Sequence, residues 1–86
     1  MHFTLKALRE LAALDIGLDE EDAHHVLANL PPSDFVERVV SKKTGEWMYV
    51  FKPRVGGVVV YVKVIIRSTC VVISFHKEEE QNDEDD

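Results

Sequence analysis

Hydrophobic and polar positions change their period part-way along this chain. Between Leu5 and Ile16 the apolar residues Leu5, Leu8, Leu11 and Leu14, with Ala7, Ala12 and Ile16, recur at helical spacing, and Gly17 stands where a C′ residue ends a helix. Asp19 caps a second helix whose first turn, Glu20-Glu21-Asp22, suits the positive end of the helix dipole. Its buried stripe is Ala23, Val26, Leu27 and Leu30, and Pro31-Pro32 stop it. Ser33-Asp34 then turns the chain into a strand near Phe35 to Ser41, and Lys42-Lys43-Thr44-Gly45 leads to the next.

From Trp47 onwards the period is two, so successive side chains face opposite sides of a sheet. Val58, Val60, Val62, Val64 and Ile66 make one apolar face, opposite Val59, Tyr61, Lys63, Ile65 and Arg67. The run before it sets Trp47, Tyr49 and Phe51 against Met48, Val50, Lys52 and Arg54. The run after it sets Val71, Ile73 and Phe75 against Cys70, Val72, Ser74 and His76. The expected architecture is α+β: two N-terminal helices packed on one face of a twisted antiparallel sheet of about four strands.

Short connections at Gly56-Gly57 and Ser68-Thr69 predict hairpins and hence a register. Symmetry about the first sets Val55 opposite Val58, Arg54 opposite Val59, Lys52 opposite Tyr61 and Val50 opposite Lys63. Symmetry about the second sets Arg67 opposite Cys70, Lys63 opposite Ser74 and Tyr61 opposite His76. Lys52, Tyr61 and His76 then share one row across three strands, with Arg54, Lys63 and Ser74 in adjacent rows; opposed Cβ atoms lie roughly 4.5–5.5 Å apart. A tight loop would make Pro53 and Val60 a hydrogen-bonded pair, and proline has no N–H, so a wider loop over Val55 to Val58 is expected in the same register.

Charge changes this picture more than composition does. The 86 residues suit one small domain, residues 1–77, that buries roughly 60–65% of its unfolded surface. The net charge of −6 is segregated. Residues 1–37 carry 2 basic and 8 acidic side chains, residues 38–77 carry 8 and 1, and residues 78–86 carry 7 acidic ones. A basic sheet therefore lies between an acidic helical half and an acidic tail, 78–86, whose composition predicts disorder. Such a tail can fold back and compete for the basic face, or simply solvate the domain. Likewise, Lys and Arg can bind an anion or merely keep an exposed sheet face from aggregating. Cys70 is the single cysteine, so no intrachain disulfide forms. No signal-peptide h-region opens the chain and no apolar run approaches the ~20 residues of a membrane span, which points to a cytoplasmic protein without a membrane partner.

Few other residues invite chemistry. His24 and His25 are adjacent on a helix and diverge, unlike the i, i+4 pair of a helical metal site. No metal or other cofactor is expected, and the two histidines read as a surface residue and a helix-edge contact. Cys70 and Trp47 read as packing residues. The row offers more. Cleaving RNA without a metal needs a base for the 2′-OH, cations for the charged phosphorane and an acid for the leaving 5′-oxygen. A histidine does either proton transfer near neutral pH. Lys52, Arg54 and Lys63 can hold the phosphate, and Tyr61 can orient the 2′-OH or stack a base. A plain cross-strand aromatic pair, Tyr61 with His76, is the bland alternative.

From Gly17 onwards, over about 60 residues, the chain resembles the MqsR (motility quorum-sensing regulator) family of bacterial toxins. Leu18-Asp19-Glu20, the LPPSDF of Leu30 to Phe35, the WMYVFKPR of Trp47 to Arg54, Tyr61-Val62-Lys63 and Val72-Ile73-Ser74-Phe75-His76-Lys77 carry the likeness in order and spacing. It implies a RelE-like fold and a ribosome-independent mRNA interferase that cuts single-stranded mRNA at short GC-containing sequences. It also implies neutralisation by a cognate antitoxin encoded by a neighbouring gene. The family's active-site tyrosine falls on Tyr61 and its basic residue after Ser-Phe on His76; its basic pair around proline falls on Lys52 and Arg54. The expected catalytic set is Tyr61, His76 and Lys63, with Lys52, Arg54, Arg38, Arg67, Ser74 and Lys77 binding RNA. Glu37 and Met48 depart from the family pattern, where Lys and Gln can stand. The chain also looks short at its start, as if a first helix and a short edge strand were missing. A catalytically weak module that binds nucleic acid or a partner protein through the same face is the alternative.

Overall fold

The computed structural model of the chain describes residues 1–78. In order it has strand β1 (His2–Phe3), helices α1 (Leu5–Leu14) and α2 (Glu20–Ala28), a 3-10 turn (Pro32–Asp34), and strands β2 (Phe35–Val40), β3 (Trp47–Phe51), β4 (Arg54–Val55), β5 (Val58–Ile66) and β6 (Cys70–Lys77). The fold is α+β as expected, but among the described residues the sheet has six strands rather than about four and is mixed rather than antiparallel throughout. Its order is β1-β6-β5-β3-β2, with β4 paired to the end of β5 and β1 parallel to β6.

Both helices begin on side-chain caps. Thr4 Oγ1 accepts from the Ala7 N–H at 3.1 Å, and Asp19 and Asp22 each accept the other's N–H in a capping box. The Asp22 N–H keeps the Asp19 carboxyl below its ordinary range. The first helix stops short of Gly17 because Asp15 already takes the left-handed conformation, at φ 56°. Ala7, Leu11, Ala23 and Leu27 pack with Phe3, Val60, Val62, Val64, Val72 and Phe75 into one buried core. Each large side chain in it contributes about 1.5–3 kcal/mol. His24 stacks on Phe3 at 5.3 Å, and His25 is exposed.

Beyond the two residues paired with β1, helix α1 serves the outer edge of β6. The Glu10 carboxylate accepts the Phe75 N–H at 2.8 Å, and Lys6 Nζ donates to the Ile73 carbonyl and to Ser74 Oγ. Lys6 and Glu10 are themselves paired at 2.8 Å. Backbone groups that would otherwise lie unmatched in a part-buried edge are thus satisfied by an ion pair.

The registers hold where they matter and shift elsewhere. Arg54 opposes Val59, Val55 opposes Val58 and Val50 opposes Lys63, as expected. The wider loop is not formed. Gly56 (φ 58°) and Gly57 (φ 78°) make a two-residue turn with both φ positive, which glycine permits without strain. Proline tolerates it because its carbonyl still accepts the Val60 N–H at 2.9 Å, so only half of that bonded pair is lost.

In the second hairpin Tyr61 opposes His76 and Lys63 opposes Ser74, yet Ile66, not Arg67, opposes Cys70. The turn is a residue longer than expected, and the register shifts back between Lys63 and Val64, leaving Ile73 as an extra residue in β6. The shift also exchanges faces: Val72, expected opposite the core, is fully buried within it.

Candidate nucleic-acid interface

On the face of the sheet away from the helices, three rows follow from the pairings. Arg54–Val59 lies at one end, Tyr61–His76 is next, and Glu37–Val50–Lys63–Ser74 comes after it. Lys52, just past β3, reaches the same neighbourhood. The rows descend from rim to floor: Arg54 is exposed, Lys52 and Tyr61 are half-buried, and Lys63 and His76 are 5% and 7% exposed.

The Tyr61 and His76 rings stack with centroids 5.0 Å apart and planes 13° from parallel. Lys63 Nζ lies 5.8 Å from the centre of the Tyr61 ring, within cation–π range. His76 Nδ1 is 2.8 Å from the Lys77 carbonyl. A carbonyl only accepts, so Nδ1 carries a proton and the lone pair of the neutral ring is at Nε2. Stack and hydrogen bond together fix both the plane and the tautomer of this histidine.

Other expected site residues stand apart. Arg38 opposes Tyr49 and lies on the helix side, its guanidinium 4.1 Å over the ring of Trp47. Trp47 is itself 45% exposed rather than core, because β2 and the outer end of β3 extend past the helices. Lys77 opposes the core residue Val60 and so points away from the rows. Arg67, at the far end of the sheet, is held by Glu46 through two hydrogen bonds of 2.8 and 2.6 Å. That fork pulls the Glu46 carboxyl down to about 2 and raises the Arg67 guanidinium. Ser74 keeps its place in the row but is fully buried, its hydroxyl accepting from Lys6. Burial pushes the Cys70 thiol up, consistent with a packing role.

Sequence reasoning missed three contributors. Lys6 and Glu10 secure β6 beside Ser74 and Phe75; their i, i+4 spacing on an otherwise apolar helix was the available signal. Glu78, counted only as the start of the acidic tail, donates its N–H to the Val59 carbonyl at 2.9 Å and pairs with Lys52 Nζ at 3.2 Å. The remainder of that tail, 79–86, lies outside the described residues.

A family model described as "Motility quorum-sensing regulator, toxin of MqsA" matches residues 1–77. The chain belongs to the MqsR toxin family. This MqsR-family chain is thus a toxin of the toxin–antitoxin kind, and its family implies a cognate antitoxin partner. The match starts at residue 1 rather than at Gly17, so it takes in β1 and α1. A search of curated proteins found no match. Among the described residues, no helix of this toxin is long and apolar enough to cross a membrane.

Proposed function

We propose that this toxin is a metal-independent endoribonuclease, an mRNA interferase acting in the cytoplasm on single-stranded mRNA and restrained by an antitoxin encoded next to it. The observation that carries the reading is the Tyr61–His76 stack beside Lys63, with Lys52 at the rim.

In this mechanism His76 Nε2 takes the proton of a ribose 2′-OH, and the oxygen attacks the adjacent phosphorus. Lys63 offsets the charge that builds on the phosphorane, with Lys52 and Arg54 on the neighbouring phosphate. A protonated group, Lys63 or a second state of His76, supplies a proton to the departing 5′-oxygen. The products are a 2′,3′-cyclic phosphate and a 5′-hydroxyl end. The hydrogen bond from Nδ1 to the Lys77 carbonyl leaves the lone pair at Nε2, an atom buried in the free protein, so the site has to open for a 2′-OH to reach it. Tyr61 holds the imidazole plane and offers its hydroxyl to the ribose.

Single-turnover cleavage of a short oligoribonucleotide tests this. Replacing His76 with Ala lowers the rate by about 10²-fold or more while leaving RNA affinity within a few-fold. Parental rates in both His76→Ala and Tyr61→Phe would remove these residues from the reaction. The near-burial of Lys63 and His76, and the acid Glu37 in the row of Lys63, favour the second reading, a binding module of the same fold. That reading predicts RNA or antitoxin binding with no cleavage above a buffer control.

A further inference from the structure

Alternation along β6 returns Glu78 to the face of His76. His76 faces the rows, Lys77 faces the core beside Val60, and Glu78 faces the rows again. Its backbone bond to Val59 puts Glu78 beside the Arg54–Val59 pair, so the sheet carries a row Arg54–Val59–Glu78 next to the row Tyr61–His76. Two residues along a strand separate neighbouring rows on one face, about 6.5–6.8 Å. The Glu78 carboxylate pairs with Lys52 at 3.2 Å, and both side chains remain partly open to solvent. An anion therefore already stands on Lys52, in the row of Arg54 and next to the row of Tyr61, fixed by its main chain rather than merely drawn in by charge.

We propose that Lys52 and Arg54 form a phosphate subsite one nucleotide removed from the scissile phosphate. In the free protein the Glu78 carboxylate occupies this subsite as an internal stand-in and yields it when RNA binds. This rests on the endoribonuclease reading of the Tyr61–His76 row and names a further site beside it. The chemistry is exchange of one oxyanion for another: Lys52 gives up a single carboxylate oxygen and takes a phosphate oxygen, with Arg54 able to add a two-point contact that the present pair lacks. The ion pair is surface-accessible, so its loss is within reach of a polyanion that brings several phosphates at once. Glu78 thus sets a threshold: short or weakly charged ligands meet an occupied cation, and longer single strands displace the carboxylate.

The test measures binding of a 2′-O-methyl oligoribonucleotide, which cannot be cleaved, as a function of salt. The parent chain is compared with Glu78→Gln, Lys52→Gln and the double variant. Glu78→Gln keeps the backbone bond and removes the charge. It binds about two- to five-fold tighter at low salt, and its log–log salt slope steepens by about 0.7, one additional phosphate contact on a single strand. In the Lys52→Gln background the Glu78 substitution changes affinity much less. Unfolding midpoints taken alongside show whether each variant is folded, and Glu78→Lys, tighter still, gives an independent variant. Parental affinity and slope in folded Glu78→Gln, while the parent binds, overturn this proposal and leave the endoribonuclease reading standing. Weaker binding or slower cleavage by Glu78→Gln also overturns it, since Glu78 would then be a working part of the site. Absence of binding by both the parent and Glu78→Gln at low salt overturns the RNA reading itself, and this inference with it.

Discussion

Glu46 and Arg67 show how one well-formed pair ties two loops that the chain separates by twenty residues. The carboxyl of Glu46 ordinarily titrates at 4.5 and is held at about 2 in the folded protein. A depressed carboxyl stabilises the fold above its unfolded pKa, and that contribution disappears as pH falls from 4.5 towards 2. Chemical denaturation at a series of pH values should therefore show the parent losing stability faster than Glu46→Gln across this window, with the two converging near pH 2. Parallel curves would mean that the fork contributes nothing measurable. Neither partner was legible as a pair in the sequence, where Arg67 reads as one more cation of the basic sheet. Its identity as a brace depends on two loops meeting in space. The same holds for Arg38, whose charge rests on Trp47 on the wrong side of the sheet for the row.

Elements were easier to read than residues. Helical and strand periods and the Asp19 cap are local features, and local rules recovered them, whereas the missing N–H of Pro53 argued for a wider loop than the two-residue Gly56-Gly57 turn that forms. The two-residue strand β1 escaped because it offers too few positions to establish a period and only its pairing with β6 defines it, whereas the β4 pairings, Arg54 with Val59 and Val55 with Val58, were expected as the end of a longer run. Ile73 escaped for another reason: nothing in a run of apolar residues marks which one is extra. The tight turn gives an element-scale prediction. Gly57→Ala places a Cβ at φ 78°, open space notwithstanding, and should cost about 1–2 kcal/mol in denaturant unfolding. Since β4 and the start of β5 carry Arg54 and Val59, this variant should also weaken RNA binding. An unchanged midpoint would show that the turn relaxes to another type.

At the scale of the molecule, the helices and the candidate site occupy opposite faces of a single sheet, so core and chemistry can be separated by substitution. Leu11→Ala, beneath α1, should destabilise the fold by about 2–5 kcal/mol and leave cleavage per folded molecule at the parental level. A matching loss of specific activity would show that the helical layer shapes the site. Segregated charge was visible in the sequence and fixed which face to suspect, whereas the depth of Lys63 and His76 within that face was not, because burial is a property of the assembled sheet. The sheet also has two ends of different character. One holds the loop at 67–69, the Glu46–Arg67 fork and the N-terminal amine on Thr69; the other holds the rows. The extra residue at Ile73 lies between them and cancels the lengthened loop, so the site sees the same alignment that a shorter loop would give. It works as an expansion joint. A one-residue gain or loss at the loop can be taken up there, leaving the loop end free to drift over generations while Tyr61 and His76 stay face to face.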